Sequence, residues 1–172
     1  MENKWNYLYL SISLFSGYCA MNNIYIIPCS NMVGVLCAGE LFFLKKKDMM
    51  FHHILVLFAL HYMNTHAEME FRENIVREML TTEISTIFLT IRNLIGGHPV
   101  NDACFVTTFM YYRIYNFSNM LCNHRVHEAL LMYSKTPYEL CEIYMSLYMF
   151  SILNVYWAGL IVSKLYRKTC KR

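Results

Sequence analysis

Two ionisable side chains interrupt an otherwise apolar stretch, Leu80–Ile95: Glu83 near its start and Arg92 near its end. A charge held at mid-membrane costs about 2.5–3.5 kcal/mol, so a chain keeps one where it faces a bundle interior, a cavity or a partner. At about 100° per residue the two groups fall on opposite faces of a helix. Glu83 shares a stripe with Ile87 and Thr90, and Arg92 shares one with Ser85, Phe88 and Leu89. Each must therefore find its partner elsewhere. A carboxyl in such surroundings is a candidate proton carrier, or else a structural group held by a neighbouring Arg, Tyr or His.

The adjacent pair His52-His53 lies in a second apolar run. An imidazole is suited to general-base work near neutral pH. Neighbouring helical positions point about 100° apart, so at most one ring of the pair faces squarely into a common pocket. The alternative is a polar pair packed at a membrane interface, just after Lys45–Lys47. Arg92 and Arg113 are the remaining candidates. A guanidinium fork matches the oxygens of an anionic headgroup. The competing readings are snorkelling for Arg92 and an internal ion pair with Glu40 or Glu83 for Arg113. No phosphate-binding glycine loop, His-Glu-x-x-His pattern or serine nucleophile elbow is present in the sequence.

The elements that must position these residues are apolar. Of 172 residues, 56 % are hydrophobic and 16 % charged, against a typical charged fraction of about 25 %. No charged residue occurs between Lys4 and Glu40. Three prolines and six glycines leave little room for turn-rich β structure. The expected class is all-α: a multi-pass transmembrane helix bundle. A net charge of +3 gives no ground for nucleic acid as a partner. The seven cysteines are scattered with no C-x-x-C, which fits small buried apolar residues rather than a disulfide frame or a zinc site. No metal and no cofactor is expected.

About six spans are read along the chain: Trp5–Ile27, Met32–Leu44, Met49–Met63, Leu80–Ile95, Val100–Leu121 and Tyr138–Ser163. Pro28, Ser30 and Asn31 supply the first break, and Gly96-Gly97-His98-Pro99 a strong turn. Asn64–Glu78 is polar and reads as a loop or surface helix, and Cys122–Pro137 as a mixed polar connection. Basic residues at Lys45–Lys47 and Lys164–Arg172 place both of those segments, and both termini, on the cytosolic side. The stretch 64–78 then faces the lumen.

Four blocks in order resemble the TLC homology domain, the family of ceramide synthases, translocation-associated membrane proteins and many relatives without a settled reaction. Phe51-His52-His53-Ile54 is similar to its histidine pair. Glu83 to Arg92, EISTIFLTIR, is similar to the Glu-Leu-Ser-Thr-x-Phe-Leu-x-x-Arg block of the branch outside the ceramide synthases. Phe105-x-x-x-Phe109 with Tyr112-Arg113-Ile114, and Leu153-Asn154-Val155-Tyr156-Trp157 with Lys164, resemble the last two helices. Glu40-Leu41 stands where relatives have Asp-Leu. Thr82, Glu83 and Thr86 occupy positions where the synthases carry His-Asp and a further Asp, so the synthase signature is broken.

The resemblance implies a first span and connector over 1–32, a TLC-like membrane domain over 33–168 and a basic tail end over 169–172. It implies membrane lipids as partners, in the endoplasmic reticulum or another endomembrane. His53, Glu83, Arg92 and Arg113 would line the polar end of a lipid cavity, with His52, Glu40, Ser85, Asn154 and Trp157 around them. The alternative is acyl transfer from a long-chain acyl-CoA, with His53 as base and Glu83 orienting it or carrying the proton. A trafficking or interaction role is a third.

Overall fold

The computed structural model describes residues 2–42, 47–66 and 72–170, and every element among them is helical. The helices are α1 (Glu2–Asn22), α2 (Ile26–Glu40), α3 (Lys47–Thr65), α4 (Arg72–Thr81), α5 (Glu83–Ile95), α6 (Pro99–Thr108), α7 (Phe117–Leu121), α8 (His124–Tyr133) and α9 (Pro137–Cys170). A π-helical segment, Phe109–Asn116, joins α6 to α7 without a break. The expectations resting on Lys45, Lys46, Glu68, Glu70, Lys171 and Arg172 lie outside the described residues.

The boundaries have local causes. The first break falls at Asn23–Tyr25 rather than at Pro28, because Asn23 and Tyr25 adopt positive φ of 55° and 49°. Pro28 then sits in the first turn of α2, where a missing N–H costs no helical hydrogen bond. The stretch Leu80–Ile95 is not one helix. The Thr81 and Thr82 hydroxyls donate to the carbonyls of Glu78 and Met79, both at 2.7 Å, and α5 starts only at Glu83. Side chains that bond back to the preceding turn bend helices or end them. At the other end Gly96, with φ of 86°, closes α5, and Pro99 opens α6.

The long elements close into a ring. α1 packs between α2 and α5; α2 packs on α3, α3 on α9, α9 on the π-helical segment, and that segment with α6 on α5. α4 tucks against α1 and α2. Small residues let the backbones approach. Ser13, Ser16 and Ala20 of α1 are buried, and a Cβ on Gly17 would stand 3.2 Å from Ile84 Cγ1. A Cβ on Gly34 would meet Leu60 Cδ1 at 3.1 Å. Interfaces of small residues are how helices associate where lipid supplies no hydrophobic drive.

An apolar core is joined by buried polar side chains, and large apolar side chains also cover the outside. Leu14, Phe15, Val35, Phe58, Ile152 and Leu160 are exposed, while Ser13, His52, His53, Arg113 and Asn154 are buried. Apolar surface on this scale marks contact with lipid or a partner. Of the described helices, only α9 is both long and apolar enough to cross a bilayer, over Pro137–Arg167. α2 is apolar but has 15 residues, about 22 Å against a hydrocarbon core of about 30 Å. The stretch expected as a loop or surface helix carries α4, which buries Ile75 and Val76, and the expected polar connection 122–137 is helical instead, with α8 burying Val126, Ala129 and Leu130.

Candidate functional site

Six staves of the ring (α1, α2, α3, α5, the π-helical segment and α9) send a polar side chain inward. From α3, His53 is 2 % exposed, and its Nε2 lies 3.5 Å from Glu40 Oε2 at the end of α2. The same Glu40 carboxylate accepts a hydrogen bond from the Tyr9 hydroxyl of α1. Three helices thus converge on one carboxylate. A carboxylate on one ring nitrogen fixes the tautomer and orientation of an imidazole.

Glu83 does not meet His53. Its Oε2 accepts from Ser13 Oγ at 3.1 Å, an α1–α5 contact beside the close approach at Gly17. The role expected of Glu83, orienting the histidine, falls in this geometry to Glu40.

Arg113 is buried within the π-helical segment. Its Nε donates to Ser85 Oγ at 2.8 Å, one terminal nitrogen to Thr86 Oγ1 at 3.0 Å and the other to Asn154 Oδ1 at 3.5 Å. The guanidinium lies over the rings of Phe109 and Trp157, 5.6 and 5.9 Å from their centroids. The ion pair expected with Glu40 or Glu83 is not formed: among the described residues no carboxylate oxygen stands within 4.0 Å of Arg113. Oxygens of two hydroxyls and an amide take its place. The widened π turn is a feature that recurs at functional sites.

His52 is buried against aromatic rings, 5.0 Å from that of Phe150 and 5.3 Å from that of Trp157. Trp157 Nε1 donates to Asp48 Oδ2 at 3.0 Å, which ties α9 to the start of α3. A cavity of about 20 Å³, room for one water, is lined by His52, Glu83, Thr82, Ser30 and apolar neighbours. His53, Arg92 and Arg113 are not on its wall. Arg92 takes no part in the hydrogen bonds of the cluster; its Nε lies 3.3 Å from Asp102 Oδ1, across the α5–α6 turn.

The structure therefore brings together Glu40, His52, His53, Glu83, Ser85, Arg113, Asn154 and Trp157, and leaves Arg92 on the rim. Three participants were missed: Tyr9, Ser13 and Asp48. The signal for the first two was present. Tyr9, Ser13, Ser16, Gly17 and Ala20 recur at spacings of three and four, a polar and small stripe on an otherwise apolar helix.

Such an arrangement can hold a polar group inside an apolar shell, and can pass a proton among Tyr9, Glu40 and His53. The family model that matches the chain is that of the TLC domain, over residues 2–163. The match starts in α1, so it takes in Tyr9 and Ser13 as well as the motif blocks. No curated protein and no solved structure matches the chain.

Proposed function

The chain belongs to the TLC-domain family, membrane proteins associated with lipid, and from that premise we propose that it is a multi-pass bundle that binds or handles a membrane lipid. The observation that carries this reading is the ring itself: polar groups from six helical staves inside, beside an apolar core, and large apolar side chains outside. A lipid needs both, an apolar path for its chain and a polar place for its head. About six spans and two cytosolic termini fit this reading, with Lys47 and the basic end of α9 on one side. An endomembrane location, the endoplasmic reticulum above all, follows from the resemblance to family members.

The test is direct. The full chain is taken from membranes in polymer-bounded discs and its lipids are compared by mass spectrometry with those of the bulk membrane. One lipid class enriched severalfold is the expected result. A lipid profile equal to that of the bulk would overturn the reading.

A second reading, acyl transfer from a long-chain acyl-CoA, is favoured by one observation, the His53–Glu40 contact. There His53 takes the proton of an amine or hydroxyl acceptor while Glu40 holds the ring, and the acceptor displaces the CoA thiolate from the thioester. Incubation with labelled acyl-CoA and a panel of amine and hydroxyl acceptors decides it. Product that vanishes with His53→Ala and Glu40→Gln supports an enzyme; no product above background refutes one.

A further inference from the structure

Donors and acceptors are unevenly shared within the ring. The carboxylates already have donors: Tyr9 for Glu40, Ser13 for Glu83, Trp157 for Asp48. Around Arg113 the balance is reversed. A guanidinium carries five N–H donors, and three of its contacts are to Ser85, Thr86 and Asn154, the last stretched to 3.5 Å. Asn154 is 1 % exposed. It spends its oxygen on Arg113, and its Nδ2, with two further donors, has no acceptor. The Nδ1 of His52, next to Trp157, is also buried without a partner.

Unsatisfied buried donors are costly, each by about 1–3 kcal/mol, and a buried cation without a close counter-ion adds to that cost. What would satisfy this set is a group that only accepts and carries negative charge. Carboxylate and phosphate oxygens do both, and a guanidinium fork suits their geometry.

We propose that Arg113 and Asn154, with His52 beside them, form a receptor for a carboxylate or phosphate group. This rests on the lipid-handling reading and gives it a headgroup chemistry. The group arrives either at the head of a lipid chain or as a free anion. The cavity of about 20 Å³ beside His52 is not lined by Arg113 or Asn154, and the Trp157 ring lies over the guanidinium, so entry requires that ring to leave the face of Arg113. Trp157 is placed to do so, being half-buried at the end of a single hydrogen bond to Asp48.

Trp157 is also the reporter. The chain has two tryptophans, so Trp5→Phe leaves one. The full chain with that substitution, in phosphatidylcholine discs, is titrated with dibromostearate, with a dibromoacyl lysophosphatidic acid and with the matching neutral monoacylglycerol. Bromine quenches the indole on contact. The anionic probes are expected to quench saturably at concentrations about ten- to a hundredfold below the neutral one, the range of one charge-assisted contact.

Asn154→Asp supplies the missing acceptor from within. It should abolish that preference while keeping or raising the melting temperature, which separates loss of the site from loss of the fold. Retention of the preference in Asn154→Asp would overturn the proposal. So would equal quenching of the unsubstituted site by all three probes, although lipid handling would then stand. No saturable quenching by any probe would overturn both. Displacement of the bromolipids by equimolar inorganic phosphate assigns the site to a free anion; failure to displace them assigns it to a lipid headgroup.

Discussion

Two serines buried in the same ring are expected to answer oppositely to the same substitution. Ser85 is 1 % exposed; its Oγ accepts from Arg113 Nε at 2.8 Å and donates to the Thr82 carbonyl at 2.8 Å. Ser16 is fully buried, and its Oγ has no partner among the described residues. Ser85→Ala strips a charged donor of its acceptor in a place water does not reach, at a cost of about 2 kcal/mol, within the range for hydrogen bonds to charged groups. Ser16→Ala removes a hydroxyl already desolvated and unsatisfied, so the change should be near zero or stabilising. For a chain of this length, 2 kcal/mol corresponds to a melting temperature about 4–8 °C lower. The assay is thermal unfolding in discs of fixed lipid composition, followed by helical circular dichroism. Equal destabilisation by both substitutions would refute the reasoning, because the cost would then follow lost volume rather than an orphaned donor.

Three further outcomes follow from the geometry. Gly17→Val should force α1 from Ile84, which a Cβ would approach to 3.2 Å, and cost about 1–3 kcal/mol by overpacking, read in the same melting assay. Gly96→Ala places a side chain at φ 86° and ψ 176°, a region essentially reserved for glycine, and should cost about 1–3 kcal/mol, with nothing in the way of the added methyl. Trp157→Phe keeps the ring over Arg113 but removes the donor to Asp48; a loss of about 1 kcal/mol is expected, and no change in stability would show that this bond does not hold α9 to α3.

The α5–α6 hairpin was legible because its signals are local. Gly96-Gly97-His98-Pro99 stops one helix and starts the next. The opposite phasing of Glu83 and Arg92 is borne out by their separate partners, Ser13 and Asp102. The all-helical class was legible from composition. What was not legible depends on neighbours distant in sequence. Whether His53 meets Glu40 or Glu83 is set by how α2 and α5 sit around α3, which no spacing encodes. The π turn at Arg113 leaves no mark in the aromatic-rich run FMYYRIYN. α8 was hidden by the polar residues of 122–137, whose apolar members at Val126, Ala129 and Leu130 make too short a stripe to stand out. Among the described helices α9 alone is long and apolar enough to cross a bilayer, so helix length does not carry the other expected spans.

The Ser13–Glu83 bond joins residues 70 apart in sequence, and this sets a schedule for biosynthesis. At about 5–20 residues per second, α1 leaves the ribosome about 4–14 s before the helix that will cover its polar stripe. In the multi-pass bundle proposed above, the stripe would face lipid during that interval. The groups on it are hydroxyls and small residues, and no charge occurs from Trp5 to Asn22. A serine can lend its hydrogen to a carbonyl of its own helix while it waits, as Ser11 does to Tyr7 at 3.0 Å, whereas a carboxylate has no donor to lend. The carboxyl groups of Glu40 and Glu83 come from later helices and meet partners on α1 that are already made, Tyr9 and Ser13. A chain that carried Glu83 on α1 and Ser13 on α5 would close the same contact but would have to hold a bare charge in the bilayer until its partner arrived.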